Sequence, residues 1–343
     1  MKNIWLYSVR SYLKLGMFFY FKRIDIHSIE NVPKNKPVLF LANHQNALLD
    51  ALIIAVYNKR FLYFLTRAGV FKSSIVGKVL KSLQMLPVYR IRDGWNNLSN
   101  NGAIFNTCAK LFSKNETVVI FPEGNHNLKR TVRPLSKGFT RIIFETFEKY
   151  PETDLQLIPV GLNFKNAEKF PDSVALFYGK PLQAKDFILE NKNESVLKLR
   201  EKVHEEISKL TTHIPSESYE ETLKRLNDLN VDFLKPNSVN KTISSNFKFH
   251  ENFKKSSFSV LKPFFKTLLI LLLIVPYVIW KLLVKPKIKE VEFISTFRFA
   301  ISITLVPVWV LIMMFVLVSS FSLAIASTYL VLVLCIALIT VKT

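Results

Sequence analysis

Short apolar runs punctuate the first half of the chain: KPVLFLAN (36–43), RFLYFLT (60–66), QMLPVYR (84–90), TVVIFP (117–122), LQLIPVGLNF (155–164) and VALFYG (174–179). They are rich in β-branched and aromatic residues and apolar on both faces, the pattern of strands buried from either side. Helical spacing fills most of the gaps between them, over 48–57, 95–113 and 137–149. Alternation of this kind predicts an α/β fold, a central, mostly parallel sheet flanked by helices.

The pattern changes twice further on. From about 190 to 233 it is helical but heavily charged, as in VLKLREKVHEEISKL, which predicts a solvated extension of the domain. Residues 235–263 are rich in Asn, Ser and Lys and read as a basic linker. Beyond it lies hydrocarbon. FFKTLLILLLIVPYVIWKLLV (264–284) is long enough to span a bilayer, and no charged residue stands between Arg298 and Lys342, room for a hairpin of two spans over 299–341 broken near SSFS (319–322). Lys254, Lys255 and Lys262 precede the first of these segments and Lys285, Lys287 and Lys289 follow it. A full crossing would leave one basic flank outside, so a re-entrant hairpin bent at Pro276 is favoured over a spanning helix.

At the N-terminus, Arg10 and Lys14 interrupt an apolar run rich in Trp, Tyr and Phe, and no small-residue cleavage site follows. That predicts an interfacial amphipathic helix over 1–24. The expected organisation is this helix, an α/β domain over 25–234 with its helical extension from 190, the linker 235–263 and a membrane anchor over 264–343.

Charge narrows the partners. Lys and Arg number 47 against 26 Asp and Glu, a formal surplus of 21. Such a balance favours an anionic partner, and the apolar C-terminus selects a lipid bilayer over nucleic acid, for which no recognition signature is present. Cys108 and Cys335 are too few for a disulfide framework or a cysteine-based metal site, which fits a membrane protein whose catalytic domain faces the cytoplasm.

Several chemistries are excluded by their missing motifs. There is no Walker-type loop, no G-x-G-x-x-G after a strand and no G-x-S-x-G elbow, and no two histidines stand at zinc-ligand spacing. What remains is a set of polar residues at the ends of the apolar runs: His44 and Asp50 after the first, Arg90 and Arg92 after the third, and Glu123 after the fourth with His126, Lys129, Arg130 and Arg133 beyond it. Pro159 and Gly161 lie in the fifth. In an α/β sheet the carboxyl ends of the strands border the ligand crevice. His44 and Asp50 admit two readings: a base and the carboxylate that fixes its tautomer, or a helix entry capped by Asn43 or Asn46 with Asp50 in the first turn.

Taken together, these segments resemble the glycerolipid acyltransferase family, the lysophosphatidate and glycerol-3-phosphate acyltransferases. NHQNALLD is similar to the family's Asn-His…Asp block, LPVYR to its second block, FPEG to its third and IPVGLNF to its fourth, in order over about 36–164. The resemblance implies that His44 is the general base, Asp50 its orienter, Arg90 a contact of the acceptor's phosphate, and Glu123 a wall of the acceptor site. Candidate substrate-binding residues are Asn43, Arg90, Arg92, Glu123, Gly124, Arg130, Arg133, Lys137 and Pro159. It also implies an acyl-CoA or acyl carrier protein thioester as donor, with neither a cofactor nor a metal and no covalent enzyme intermediate.

Three departures stand out. Five residues, QNALL, separate His44 from Asp50 where the family usually has four; the wider spacing resembles yeast-type glycerol-3-phosphate and dihydroxyacetone-phosphate acyltransferases, which also carry C-terminal membrane segments. Asn125 and His126 follow FPEG where many relatives have Thr and Arg, and the glycine often found before the second block's arginine is missing. The expected function is acyl transfer to lysophosphatidate or glycerol 3-phosphate. The rivals are acylation of a lipid without phosphate and a non-catalytic membrane scaffold of the same fold.

Overall fold

The computed structural model describes residues 2–89, 101–249 and 262–343. Helix α1 (Lys2–Tyr20) runs into β1 (Phe21–His27), followed by β2 (Val38–Ala42), α2 (Ala47–Tyr57), β3 (Tyr63–Arg67), α3 (Ser74–Ser82), β4 (Met85–Val88), α4 (Asn101–Phe112), β5 (Thr117–Ile120) and α5 (Gly138–Lys149). Then come β6 (Gln156–Phe164), β7 (Asp172–Tyr178), β8 (Leu182–Gln183), α6 (Lys192–Leu210), α7 (Tyr219–Asp228) and α8 (Pro236–Ser244). The strands form one sheet in the order β1-β7-β6-β2-β5-β3-β4, with β8 also paired to β6. Among the described residues, only the β6–β7 and β6–β8 pairings are antiparallel. This is the predicted α/β architecture, and all six apolar runs became strands.

The reason lies in their two-sided burial. All five residues of β2 and all nine of β6 are buried. One face meets α2 and α11 (Ile294–Ile303) through Phe40, Leu49, Ile53, Ile158 and Phe299, and the other meets α4, α5 and α6 through Leu39, Phe112, Phe139 and Val203. Gly161 in β6 permits the end of α6 to lie against the sheet, since a Cβ there would come within 2.3 Å of the Leu210 carbonyl oxygen.

Two boundaries differ from the sequence reading. The N-terminal helix stops at Tyr20, four residues short of the expected limit, because Phe21–His27 pairs in parallel with β7 as an edge strand. The residues expected to open a linker are folded: Pro236 starts α8 at a position where a missing N–H costs nothing, and Val239 packs with Ile214, Leu226 and Phe233. Asn240 donates to the Ser208 and Thr211 carbonyls at the end of α6, so its polarity serves packing. The rest of the linker, 250–261, lies outside the described residues, as does 95–100 of the expected helix 95–113.

The C-terminal segments are apolar on their outer faces. α9 (Lys262–Leu272) and α10 (Ile274–Val278), continued to Lys287, meet at a bend of 101°. The bend falls at Leu273 and its cause is Pro276, which offers no N–H to the Leu272 carbonyl four residues earlier. Trp309 Nε1 (3.1 Å) and the Tyr329 hydroxyl (3.3 Å) donate to that carbonyl instead. α11 continues into α12 (Leu305–Ser320), and α13 (Leu323–Lys342) follows a turn in which Ser322 caps the new helix by accepting from Ile325 N. Val291–Ser320 and Leu323–Lys342 are long and apolar enough to cross a membrane, with mean hydropathy 2.7 and 2.5. Both ends of this hairpin return to the α/β domain: Ser295 Oγ donates to the Ala167 carbonyl, and Lys342 Nζ to that of Phe21 at 2.7 Å.

Candidate active site

β2 and β5 are parallel neighbours, so the chain leaves both at the same edge of the sheet. His44 follows β2 and Glu123 follows β5. His44 Nδ1 and Asp50 Oδ2 are 2.8 Å apart, and the same carboxylate oxygen accepts from Gln45 N and Asn46 N, each at 2.8 Å. Asp50 is fully buried and the His44 side chain keeps 15 % of its surface. The carboxylate thus holds both the turn before α2 and the imidazole, while neither Asn43 nor Asn46 caps the helix with its side chain. Ala47 adopts φ 45°, a left-handed conformation that turns the chain between strand and helix and accommodates the six-residue step from His44 to Asp50. The wider spacing therefore does not separate the pair.

The His44 ring stacks on Phe121, with centroids 4.0 Å apart and planes at 16°. With Nδ1–H held by Asp50, Nε2 is left as the basic nitrogen.

Glu123 joins the strand ends. Its Oε1 accepts from His44 N at 3.2 Å and its Oε2 from Arg133 Nε at 2.7 Å. Burial pushes its carboxyl above the usual range, and Arg133 and the His44 N–H oppose that shift. Gly124 has φ 74°, which a residue with a Cβ adopts only under strain, and its N–H closes the turn on the Phe121 carbonyl. Arg133 also donates to the Asn125 carbonyl.

Other candidates serve the scaffold. Asn43 gives both ends of its amide to Leu162, Nδ2 to the carbonyl at 3.0 Å and Oδ1 from the N–H at 2.7 Å, which locks the end of β2 to β6 rather than reaching for a substrate. Arg130 is partly engaged: it donates to the Phe164 and Lys165 carbonyls and lies 3.7 Å from the Phe233 ring centroid. Burial lowers its pKa to about 10. Pro159 is buried within β6, its carbonyl bound by Gly179 N. Lys137 is exposed at the entry to α5. Arg90 and Arg92 lie outside the described residues.

Sequence reasoning missed Gln45 and Phe121, and it noted His126 without giving it a role. Gln45 donates to the Leu128 carbonyl and presents its N–H to Asp50; Phe121 backs the imidazole; His126 brings its ring centroid 5.6 Å from that of His44. His126 had a signal, since with Asn125 it follows FPEG in place of the usual Thr-Arg pair. Its partner had none: His126 Nε2 lies 3.0 Å from Glu290 Oε2, and its ring meets Phe293 edge-on at 4.8 Å, both from the segment that precedes α11.

Part of the chain is similar to known proteins. Residues 23–163 match the Acyltransferase family model. An uncharacterized acyltransferase from Schizosaccharomyces pombe is 29 % identical over 79 residues, 23 % of this chain and 12 % of that protein. Glycerol-3-phosphate O-acyltransferase 1 from Saccharomyces cerevisiae is 21 % identical over 84 residues, 24 % of this chain and 11 % of that protein. The matches thus span only a small part of either relative's length. A crystal structure of a 1-acyl-sn-glycerophosphate acyltransferase from Thermotoga maritima superposes with TM-score 0.44 at 18 % identity, over 64 % of this chain and 81 % of that one. Over residues 23–163 the α/β domain of this chain is thus similar to the proteins that the Acyltransferase model describes.

Proposed function

We propose that the chain is a membrane-bound O-acyltransferase that moves a fatty acyl group from a thioester to the hydroxyl of lysophosphatidate or glycerol 3-phosphate. The observation that carries this reading is the 2.8 Å contact of His44 with a fully buried Asp50 at the carboxyl end of β2. Asp50 holds Nδ1–H, so Nε2 takes the proton of the acceptor hydroxyl as its oxygen attacks the thioester carbonyl. The tetrahedral intermediate expels the thiolate, breaking the C–S bond, and the imidazolium returns the proton to sulfur. A positioned base of this kind contributes about 10²–10⁴ in rate. Acyl-CoA or acyl carrier protein enters as co-substrate, and the chemistry calls for no resident cofactor or metal.

The domain sits on the membrane through α1, whose Ile4, Trp5, Tyr7 and Leu15 are exposed, and through α12 and α13. The bent pair α9–α10 acts as a re-entrant hairpin. Lys262 at its start is near enough to help depress the pKa of Lys22, after burial, and Glu290 beyond its end reaches His126. Lys285, Lys287 and Lys289 then stay with the catalytic domain on the cytoplasmic side.

The test uses purified chain in anionic vesicles with acyl thioester and a panel of acceptors, read by thiol release and lipid mass. Acceptor-dependent release should fall at least about 100-fold in His44→Ala. Release that ignores the acceptor, or survives that substitution, removes the reading. Arg90→Ala should raise the KM of a phosphate acceptor; no change would favour an acceptor without phosphate.

A further inference from the structure

The segment between α10 and α11 lies outside the matched acyltransferase region, yet it reaches the catalytic histidine's surroundings. Among the described residues around His44 the cations are already engaged. Arg133 is spent on Glu123 and the Asn125 carbonyl, and Arg130 on two carbonyls and the Phe233 ring. Lys129 Nζ lies 4.9 Å from the Tyr219 ring centroid. His126 is different. Its side chain keeps only 10 % of its surface, its Nε2 is fixed by Glu290, and its Nδ1 is buried with no hydrogen-bond partner. Phe293 closes one side of the ring and His44 stands on another. A buried nitrogen left unpartnered beside a base is unfavourable for the fold and calls for an explanation, which a ligand would supply.

We propose that Glu290 is a positioning residue of the active site: carried on the membrane-side segment, it fixes the His126 imidazole so that Nδ1 faces the acceptor's phosphate monoester. This rests on the acyltransferase reading above. In the free protein burial, and then His44, hold His126 below its ordinary pKa, while Glu292, Glu290 and Asp50 raise it. With Glu290 accepting from Nε2–H, the neutral ring presents a lone pair at Nδ1. An arriving phosphate supplies the negative charge that favours protonation there, and Nδ1–H then donates to a phosphate oxygen. The site takes up one proton with the acceptor, and it is assembled only when the segment between the two membrane hairpins is seated.

Glu290→Gln separates this from a packing role, because the Glu290 side chain is 62 % exposed and its amide analogue keeps the shape. The purified chain in anionic vesicles is assayed with glycerol 3-phosphate and with lysophosphatidate from pH 6 to 9. The acceptor KM should rise about tenfold at pH 7 with kcat within twofold, and Glu290→Asp should recover part of the loss. In wild type the KM should climb as pH rises through the His126 pKa of the complex; removing the Glu290 charge lowers that pKa, so the climb should start at lower pH. His126→Asn should raise KM similarly, and the double variant should be no worse than His126→Asn alone. An unchanged KM and pH profile in Glu290→Gln, beside an active wild type, overturns the inference and leaves the acyltransferase reading standing. A wild type without acceptor-dependent turnover removes both.

Discussion

The α/β domain and the C-terminal helices obey one rule to opposite ends. In the domain, buried polar side chains reach across elements: Asn43 ties β2 to β6, Asp50 gathers two backbone N–H groups and an imidazole, and Glu123 joins the strand ends through His44 N and Arg133. In the C-terminal helices the stranded polar group is a backbone carbonyl, at Leu272, and side chains of two neighbouring helices come to it. Pairing a buried polar group thus shapes a reactive site in one region and a bend in the other. What differs is the solvent. The outer faces of α12 and α13 expose Leu311, Phe315 and Leu323, a surface suited to lipid, whereas the domain turns its apolar runs inward.

The largest expected effect of breaking a pairing is therefore catalytic. Asp50→Asn can keep its one oxygen where Gln45 N, Asn46 N and His44 Nδ1 converge, but it removes the negative charge beside the ring. The imidazolium that forms when His44 takes a proton then loses its stabilising counter-charge. Turnover should drop by about 10²–10⁴, with little change in Tm. A loss of activity matched by an equally large loss of Tm would reduce Asp50 to a helix cap.

How much of this was legible follows from the range of each contact. The His44–Asp50 pair closes within seven residues at the end of a recognisable strand, so a local string carried it. The strands at the centre of the sheet, β2, β5 and β6 above all, were legible because burial on both sides leaves a run without alternation. β1 was not, since FKRIDIH acquires its partner only from β7, far along the chain. The surroundings of Arg130 were hidden for a related reason: its sequence gives a cation near FPEG, but not the Phe164 and Lys165 carbonyls that accept from it. The His126–Glu290 contact joins residues on either side of the bent membrane pair, and no local pattern announces it.

The joint between the regions should show a smaller, pH-dependent effect. Asp172 in β7 is buried near Arg130 and Arg298 of α11, its Oδ1 accepts from Asn166 N, and its Oδ2 is unpartnered. Burial outweighs the arginines and raises its pKa from 3.8 to about 6. The folded state then binds a proton more tightly than the unfolded one. Its contribution favours folding below about pH 4 and is lost as pH climbs to 6 and beyond, by about 3 kcal/mol in all. Asp172→Asn should accordingly be more stable than wild type at pH 8, with the advantage vanishing near pH 4. A constant difference across that range, in thermal unfolding followed by circular dichroism, would show that the carboxyl is ionised in both states.

The smallest effect belongs to the apolar helices. Trp309→Phe keeps an aromatic ring but removes the N–H that reaches the Leu272 carbonyl at 3.1 Å. The Tyr329 hydroxyl remains on the same oxygen at 3.3 Å, so the carbonyl is not orphaned. Hydrogen bonds between membrane helices contribute about 0.6 kcal/mol on average, and a shared acceptor loses less than a sole one. The single variant should therefore lower stability in detergent by about 0.5 kcal/mol or less. Trp309→Phe with Tyr329→Phe should lose more than the two singles combined, because only the pair strands the oxygen that Pro276 released. Additive losses would mean that the bend is held by packing alone, and the contrast drawn between the two regions would then rest on the domain side only.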